Sequence, residues 1–416
     1  MQISALNIII PENFRYSCLP NCAVCCAGWN IDVDEEAYKN FSKFDWEKIS
    51  KKFVGKKKFI EENNKKYFEL VDGKCIFLDD DKYCLLHKKL GFDTKTSTCK
   101  IYPFKFIKTA DGIIVRLSFV CPSIIKNTGI LLEEQLLEIK KLAALKPERM
   151  RQIDETIAVN EDFKIGWSDY KKLENFILNL LKTGDNYESS LKLAAKYLRI
   201  VLEELQKKEN ASLISEILEK IDKKILFVRM DPFREKKEKD DTFNKKQRLY
   251  YALFVGYKFV GQSKISSFKK IGNLVKLIIK NGTLELNGKK FDVSRVYQTY
   301  FNVENKENMK LVKKYIEHLI FTKWHLLPTD FSTPNVISGY SLILVIYALV
   351  KWFSRAFAVL RGNSVVELCD VENAVSIVDK NYAGHITKET LFLNSPVFSK
   401  ICNLLISQNN FEEIII

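Results

Sequence analysis

Glycine and proline are scarce in this chain, 16 and nine among 416 residues, while 46% of residues are apolar. That balance is a globular composition with no sign of extended disorder, and it leaves helix as the default expectation. Residues Met1 to Pro11 carry an apolar patch at Ile8, Ile9 and Ile10 but neither a basic leader nor an apolar stretch long enough for a signal peptide. A cytoplasmic protein is therefore expected. A membrane span needs roughly 20 consecutive apolar residues. The nearest approach, Phe331 to Val350, is interrupted by Pro334, Asn335, Ser338, Gly339 and Ser341, so it reads as a buried core helix with its dense part at Leu342 to Val350. Also missing are a repeat of fixed period, a low-complexity linker beyond the charged stretch Arg229 to Arg248, and a glycine-rich turn of the kind that holds a nucleotide-like cofactor at a helix start. Gly256 and Gly261 sit in an apolar helical stretch and read as packing positions.

What the sequence does hold is length, positive charge and an uneven placement of cysteine. At 416 residues the chain is too long for one ordinary core and suggests two or three domains. A formal charge of +14 favours an acidic partner: protein, anionic membrane surface or nucleic acid. Nucleic acid is disfavoured because no zinc-finger, helix-turn-helix or RNA-binding signature is present. Much of the charge is lysine intermixed with acids along helices, the pattern of a solvated face.

Eight of the ten cysteines fall between Cys18 and Cys121, and only Cys369 and Cys402 follow. Composition thus marks a cysteine-cluster domain over 1–125 and a helical domain over 126–416, with a subdivision near 229–248. The expected fold is mostly α, with a small α+β cysteine-rich N-terminal domain and one β-hairpin in the helical part. In the first region Asp34 reads as an N-cap followed by acids in the first turn, with a helix to about Phe44. Beyond Cys121 helical spacing predicts helices at Gly129 to Leu145, Ser168 to Leu181, Ser189 to Lys207, Ser212 to Leu226 and Lys245 to Val260. It continues with Ser266 to Ile279, Lys306 to Leu326, Ser338 to Leu360, Asp370 to Asp379 and Pro396 to Ile406. Thr283 to Leu286 and Lys289 to Val293 flank Asn287-Gly288, the dipeptide of a tight hairpin.

The cysteines open as Cys18-Leu-Pro-Asn-Cys22-Ala-Val-Cys25-Cys26, continue at Cys75 and at Cys84-Leu-Leu-His87, and close at Cys99-Lys-Ile-Tyr-Pro103 and Cys121-Pro122. Disulfides need an oxidising compartment, and no export signal is evident. A role as small buried core thiols suits isolated Cys369 and Cys402, not four cysteines within nine residues. Thiolate-rich sites select zinc or iron-sulfur clusters. Structural zinc sites usually show two short Cys pairs; here Cys75, Cys84, Cys99 and Cys121 stand singly, which suits a [4Fe-4S] cluster, with zinc as the alternative. The set Cys18, Cys22, Cys25, Cys26, Cys75, Cys84, Cys99 and Cys121 is the candidate ligand set. Its first three members also resemble, in C-x3-C-x2-C spacing, the loop of radical S-adenosylmethionine enzymes. The alternating strands and helices of their barrel do not follow.

Taken together, the Cys-Cys-x-Gly-Trp29 core, Ile31-Asp32-Val33-Asp34, Cys75-x-Phe-Leu, Cys84-x-x-His87, Cys99-x-x-Tyr-Pro103 and Cys121-Pro122 resemble the flagellin lysine-N-methylase family, over about a third of the chain. Ile76 departs from the proline that the family often has there. The resemblance implies a bacterial cytosolic enzyme with a [4Fe-4S] cluster that transfers methyl groups from S-adenosylmethionine to surface lysines of flagellin. Catalytic and cofactor-binding residues stay unassigned. Trp29, Tyr102, Asp32 and Asp34 lie beside the cysteines and offer themselves either as a lysine slot or as core, cap and packing residues; His87 offers itself as a ligand or as a hydrogen-bond donor to a cluster sulfur. The rival reading is a non-catalytic metal-binding scaffold or redox sensor with a basic, partner-binding helical domain.

Overall fold

A computed structural model describes residues 6–184, 186–207, 214–220, 252–256, 258–259, 267–328 and 334–384. The chain divides into two compact units, Met1–Gln152 and Ile153–Ile416.

In the first unit, alternating apolar residues at Phe104–Thr109 and the continuous run in Gly112–Leu117 build the central hairpin of a four-stranded sheet. Ile8–Ile9 and Arg151–Gln152 add to its two sides in parallel. Val115, Leu117, Ile114 and Ile107 are almost fully enclosed, as expected for strands covered on both faces. A second, three-stranded antiparallel sheet joins Asp32–Val33, Lys65–Phe68 and Phe59–Glu62. Its tight turn uses Asn63 and Asn64, both with positive φ, as a right-twisted hairpin prefers. Beside this sheet Phe41, Trp46, Phe53, Phe59, Phe68 and Phe77 form an aromatic core with edge-on contacts as close as 4.8 Å between Trp46 and Phe77. Such pairs add about 0.5–1.5 kcal/mol each beyond area burial.

This unit continues past residue 125, the edge expected from cysteine composition, to Gln152. The reason lies in its contacts: Ile130–Leu131 pairs antiparallel with Arg15–Tyr16, and Lys146 and Arg149 reach back to Asp32. The helix expected at Gly129 to Leu145 accordingly begins only at Leu136. Gly129 has φ 107°, and a Cβ there would stand 2.4 Å from the Ser17 nitrogen, so this position serves a close approach of two backbones.

The second unit is mainly helical, and both of its sheets are two-stranded and antiparallel among the described residues. The hairpin Thr283–Leu286/Lys289–Asp292 turns through Asn287 and Gly288, both at positive φ, as the dipeptide predicted. A second hairpin, Thr156–Ala158 with Lys164–Gly166, was not legible as strand. Helices run at Trp167–Thr183, Tyr187–Lys207, Ser267–Ile279, Lys306–Phe321, Val336–Leu360 and Leu368–Val378, with helical turns at 214–220 and 252–256. The helix expected at Lys306 to Leu326 stops at Phe321, because Lys323 takes a left-handed conformation (φ 54°) before a short turn at Trp324–Leu326. The expected helix Pro396 to Ile406, Cys402 and the charged stretch 229–248 lie outside the described residues.

Val336–Leu360 is long and apolar enough to cross a membrane by length and composition, yet 89% of its apolar window is buried within the protein. It packs against Leu368–Val378, Lys306–Phe321, Val293–Gln298 and Tyr187–Lys207. Lys351 on this helix holds Glu188 at 2.6 Å, and the Tyr347 hydroxyl donates to the same carboxylate at 2.8 Å. Enclosure by other helices explains why it is apolar nearly all round.

Candidate metal centre

All eight N-terminal cysteines are free thiols in the first unit. Their positions follow from local structure. The loop carrying the first four coils tightly: Asn21 and Ala23 take left-handed conformations (φ 58° and 54°), and Val24–Cys26 forms a single 3-10 turn. Left-handed alanine costs roughly 1–2 kcal/mol, so surrounding contacts hold this curl in place. One such contact is the Trp29 indole, which donates to the Cys25 carbonyl at 2.9 Å. Ala27 then bridges antiparallel to Lys74, which sets Cys26 across from Cys75; Leu78 bridges to Cys84 in the same way. Cys25 and Cys26 sulfurs lie 3.9 Å apart.

Cys99 rides on the short helix Ser97–Ile101, and the two acids of the Ile31–Asp34 segment clamp that helix. Asp34 caps Glu35–Ser42 through the Ala37 N–H at 3.0 Å, while its other oxygen accepts from Thr96 Oγ1 at 3.0 Å and the Ser97 N–H at 2.8 Å. Asp32 accepts from Thr98 Oγ1 at 2.5 Å, from Lys146 Nζ at 2.7 Å and from two Arg149 nitrogens. Burial tends to raise the Asp32 pKa, but the hydrogen bonds from Arg149, Lys146 and Thr98 outweigh it and hold the carboxyl at about 2. Both acids are thus committed to internal partners, and their part is to position the Cys99 helix rather than to line a lysine slot.

Cys84 and Cys121 each begin a short helix, Leu85–Leu90 and Pro122–Lys126. The Leu86 and His87 N–H groups act on the Cys84 sulfur, and those of Ser123 and Ile124 on Cys121. Amide donors of this kind stabilise a thiolate and tune a cluster. The Cys84 thiol is lowered to about 6, first by hydrogen bonding with Cys26 and against the opposing effect of burial. Cys25 is lowered for the same first reason, whereas Cys26, which faces both, is raised. Burial pushes Cys75 and Cys121 up to about 12 and raises Cys99 as well. Two lysines that the sequence reading did not single out attend the thiols. The charge of Lys95 favours the thiolates of Cys25 and Cys84, and Lys52, which donates to the Leu78 carbonyl, feels the charges of Cys75 and Cys84. No spacing rule marks either one, because both reach the site only through the folded chain.

Of the remaining candidates, Tyr102 packs its ring 5.9 Å from that of Trp29, and His87 is exposed with its ring edge-on to Phe92. Cys369, expected as a buried core thiol, is exposed.

Do these residues fit a metal? The donor set is soft and anionic, which suits zinc or an iron-sulfur cluster and not magnesium or calcium. Among the described residues no three His, Cys, Asp or Glu side chains are drawn together closely enough for a single ion. A four-iron cluster draws thiolates from more varied spacings than a single ion does, and eight free thiols lie in this unit. The fit is therefore to a thiolate-ligated centre, with Lys95 as a nearby counter-charge.

Residues 17–122 match the family model CxxCxxCC, described as "Putative zinc- or iron-chelating domain". Over 104 residues, 24% of this chain, it is 26% identical to a protein of Salmonella muenchen named flagellar biosynthetic protein FliU, covering 62% of that protein. It is also 26% identical over 116 residues, 26% of this chain, to a lysine-N-methylase of Salmonella typhimurium and covers 29% of its length. A lysine-N-methylase of Salmonella choleraesuis matches at 26% identity over 104 residues, 24% of this chain and 26% of its own length. The match thus spans less than two thirds of each of these relatives. No solved structure matches the chain at a significant level. Residues 17–122 thus resemble, at a distant level, both a zinc- or iron-chelating domain and proteins named lysine-N-methylase.

Proposed function

We propose that this protein is a cytoplasmic protein-lysine N-methyltransferase that carries a [4Fe-4S] cluster on its N-terminal thiols and transfers methyl groups from S-adenosylmethionine to surface lysines of flagellin or another acidic protein. The observation that carries the reading is the folding of eight thiols into one unit whose sequence is distantly like lysine-N-methylases. When bound, the cluster supplies a structural anchor or an iron with an open position for a polar group. Four thiolates drawn from Cys18, Cys22, Cys25, Cys26, Cys75, Cys84, Cys99 and Cys121 would hold it, and the Asp32 and Asp34 clamp fixes the helix that carries Cys99.

The transfer itself is polar. A deprotonated lysine nitrogen forms a bond to the methyl carbon, the sulfonium carbon–sulfur bond breaks, the thioether leaves with the bonding pair, and the amine proton passes to water. Positioning and exclusion of water carry most of such a reaction. A second reading has its own support: Cys26 and Cys75 are buried in the aromatic core, where a metal would serve as a staple in a non-catalytic scaffold or redox sensor. The deciding experiment is to incubate metal-loaded protein with S-adenosylmethionine and flagellin from the same cell. Mass gains in steps of about 14 Da on flagellin lysines uphold the first reading, since one methyl replaces one proton in each transfer. No gain, with or without reductant, leaves the scaffold.

A further inference from the structure

We propose that the helix Ser267–Ile279 is a membrane-docking element that seats this protein on an anionic lipid surface, with an apolar ridge in the acyl boundary and the lysines beside it at the headgroups. Among the described residues, four exposed large apolar side chains lie on this one helix: Phe268, Ile271, Val275 and Ile279. At 3.6 residues per turn they share an arc of about 80°. Gly272 falls in the same arc, and a Cβ built on it would meet nothing within 4 Å. The opposite side of the helix is occupied. Leu277 and Asn273 are buried, and Leu274 and Leu277 both lie within 4 Å of where a Cβ on Gly256 would stand. The ridge therefore faces outward because its helix is anchored by the other face. An anchored helix that keeps a second apolar side in water marks an interaction surface.

The charge beside the ridge names the partner. Ser267–Ile279 contains no Asp or Glu, and over 267–295 six lysines and Arg295 stand against Glu285 and Asp292. Lys269 and Lys276 fall on the flank that adjoins the ridge. There they line a cavity of about 670 Å³ together with Lys258 and with Lys290 of the hairpin Thr283–Leu286/Lys289–Asp292. Glu285 is the one acid in this lining among the described residues. Lys276 donates to the Thr283 carbonyl at 2.9 Å, which fixes the spacing of helix and hairpin. Lys258 donates to the neutral amide oxygen of Asn381 at 3.3 Å; burial, and then the charge of Lys380, push its pKa down, so a bound anion would relieve it. An apolar ridge beside a four-lysine cavity is the layout of an interfacial helix, in which apolar side chains enter the acyl boundary and lysines meet lipid phosphates. A partner helix would instead need a groove with walls. Phe268, at 89% exposure, has no walls, and a bare ridge suits the plane of a bilayer.

This inference goes beyond methyl transfer and rests on neither the thiols nor the metal. Full-length protein is floated with vesicles of phosphatidylcholine alone and of phosphatidylcholine mixed with phosphatidylglycerol, at low and at physiological salt. Hydrogen exchange read by mass spectrometry locates the contact. The expected result is flotation with the anionic vesicles only, weakened by salt, with new protection over residues 267–280. Phe268→Ser combined with Ile279→Ser keeps the charge and should lower vesicle binding about tenfold or more, because each apolar side chain withdrawn from lipid costs on the order of a power of ten. Its melting temperature should match the wild type, since both side chains are exposed. Should that variant prove unstable, Gly272→Glu places an acid in the open part of the ridge and should abolish flotation in its stead. Lys269→Gln with Lys290→Gln should weaken binding and flatten its dependence on salt. Undiminished flotation of the folded apolar variant would show that net charge alone holds the vesicles and would overturn the proposal. Failure of the folded wild type to float, or protection confined to other segments, would do the same. Self-association lost on the Phe268 and Ile279 changes, without flotation, would assign the ridge to a second copy of the chain.

Discussion

Lys146 reaches across 114 residues of sequence to place its ammonium 2.7 Å from the Asp32 carboxylate, in a pair whose side chains are only 8% and 17% exposed. The contact ties the last helical turn of the first unit to the strand that follows the cysteine loop, and the same carboxylate holds Thr98 beside Cys99. Placement of Cys99 therefore depends on a residue that bears no sulfur and shows no motif.

Asp32→Asn should be destabilising, because it leaves the Lys146 ammonium without its counter-charge. Breaking a fully buried pair costs about 3–5 kcal/mol, and partial exposure here brings the expectation to roughly 1–3 kcal/mol. The pH dependence has a definite sign. A carboxyl held at about 2 contributes stability that is full above its unfolded value near 4 and is lost as pH falls from about 4 toward 2. Urea midpoints from pH 6 to pH 2.5 should fall more steeply for the wild type than for Asp32→Asn. Parallel curves would show that the carboxylate is not the linked group.

In the second unit Glu188→Ala and Lys351→Met probe one ion pair from its two ends. Removing Glu188 strands the enclosed Lys351 ammonium (7% exposed) and deprives Tyr347 of its acceptor, so a loss of about 3 kcal/mol is expected. Lys351→Met puts an apolar chain of similar volume into the same surroundings, and Glu188 keeps both Tyr347 and some solvent. That change should cost about 1 kcal/mol or less. Thermal melts of the two variants check the order, and an equal loss would count against it.

How much of this was legible in the sequence depends on the range of the signal. The Asn287-Gly288 hairpin and the Asp34 cap are local, and both stand where the residues placed them. Among the described residues, the helices of the second unit follow their apolar spacing to within a few residues at most ends, while Ser212 to Leu226 and Lys245 to Val260 lie partly outside them. Gly129 to Leu145 was misread at its start because Ile130 and Leu131 suit a helix face as well as a strand; only the partner Arg15–Tyr16 decides between them. The cysteines could be named as a group but not sorted, since the Ala27–Lys74 bridge and the pairing of Arg15–Tyr16 with Ile130–Leu131 join segments far apart in sequence. Lys95 and Lys52 escaped notice for the same reason.

Gly129→Ala should act on the cysteine loop from a distance. The new Cβ would fall 2.4 Å from both the nitrogen and the hydroxyl of Ser17, at a φ that L residues rarely adopt. Backbone must move at Ser17, next to Cys18, and the pairing of Ile130–Leu131 with Arg15–Tyr16 should loosen. The expected outcome is a loss of about 1–3 kcal/mol with greater iodoacetamide labelling at Cys18 than in the wild type. Gly288→Ala provides the control: it also carries a positive φ, but nothing lies within 4 Å of its Cβ, and it sits in the second unit. Its labelling at Cys18 should stay at the wild-type level.

Chelation offers the last prediction, and it separates a catalytic centre from a staple. Cys18 is exposed while Cys26 and Cys75 are buried, so stepwise treatment with a chelator under anaerobic conditions should draw metal off from the exposed side of the thiol set. Folding and metal binding are coupled most strongly where ligands are buried, and the early fraction should therefore keep its near-ultraviolet circular dichroism and its melting transition. Methyl transfer to flagellin is followed across the same series. Activity lost in step with the early metal, while the fold persists, assigns the centre a part in holding cofactor or substrate. Activity that survives until melting collapses assigns the metal to the fold. Ionic strength supplies an independent check on docking: with a formal charge of +14 the chain should engage an acidic protein more weakly as salt rises, because charges are screened over about 8 Å at physiological strength. A KM for flagellin that is flat between 50 and 300 mM salt, values on the order of those that bracket this screening range, would show that charge does not guide the encounter.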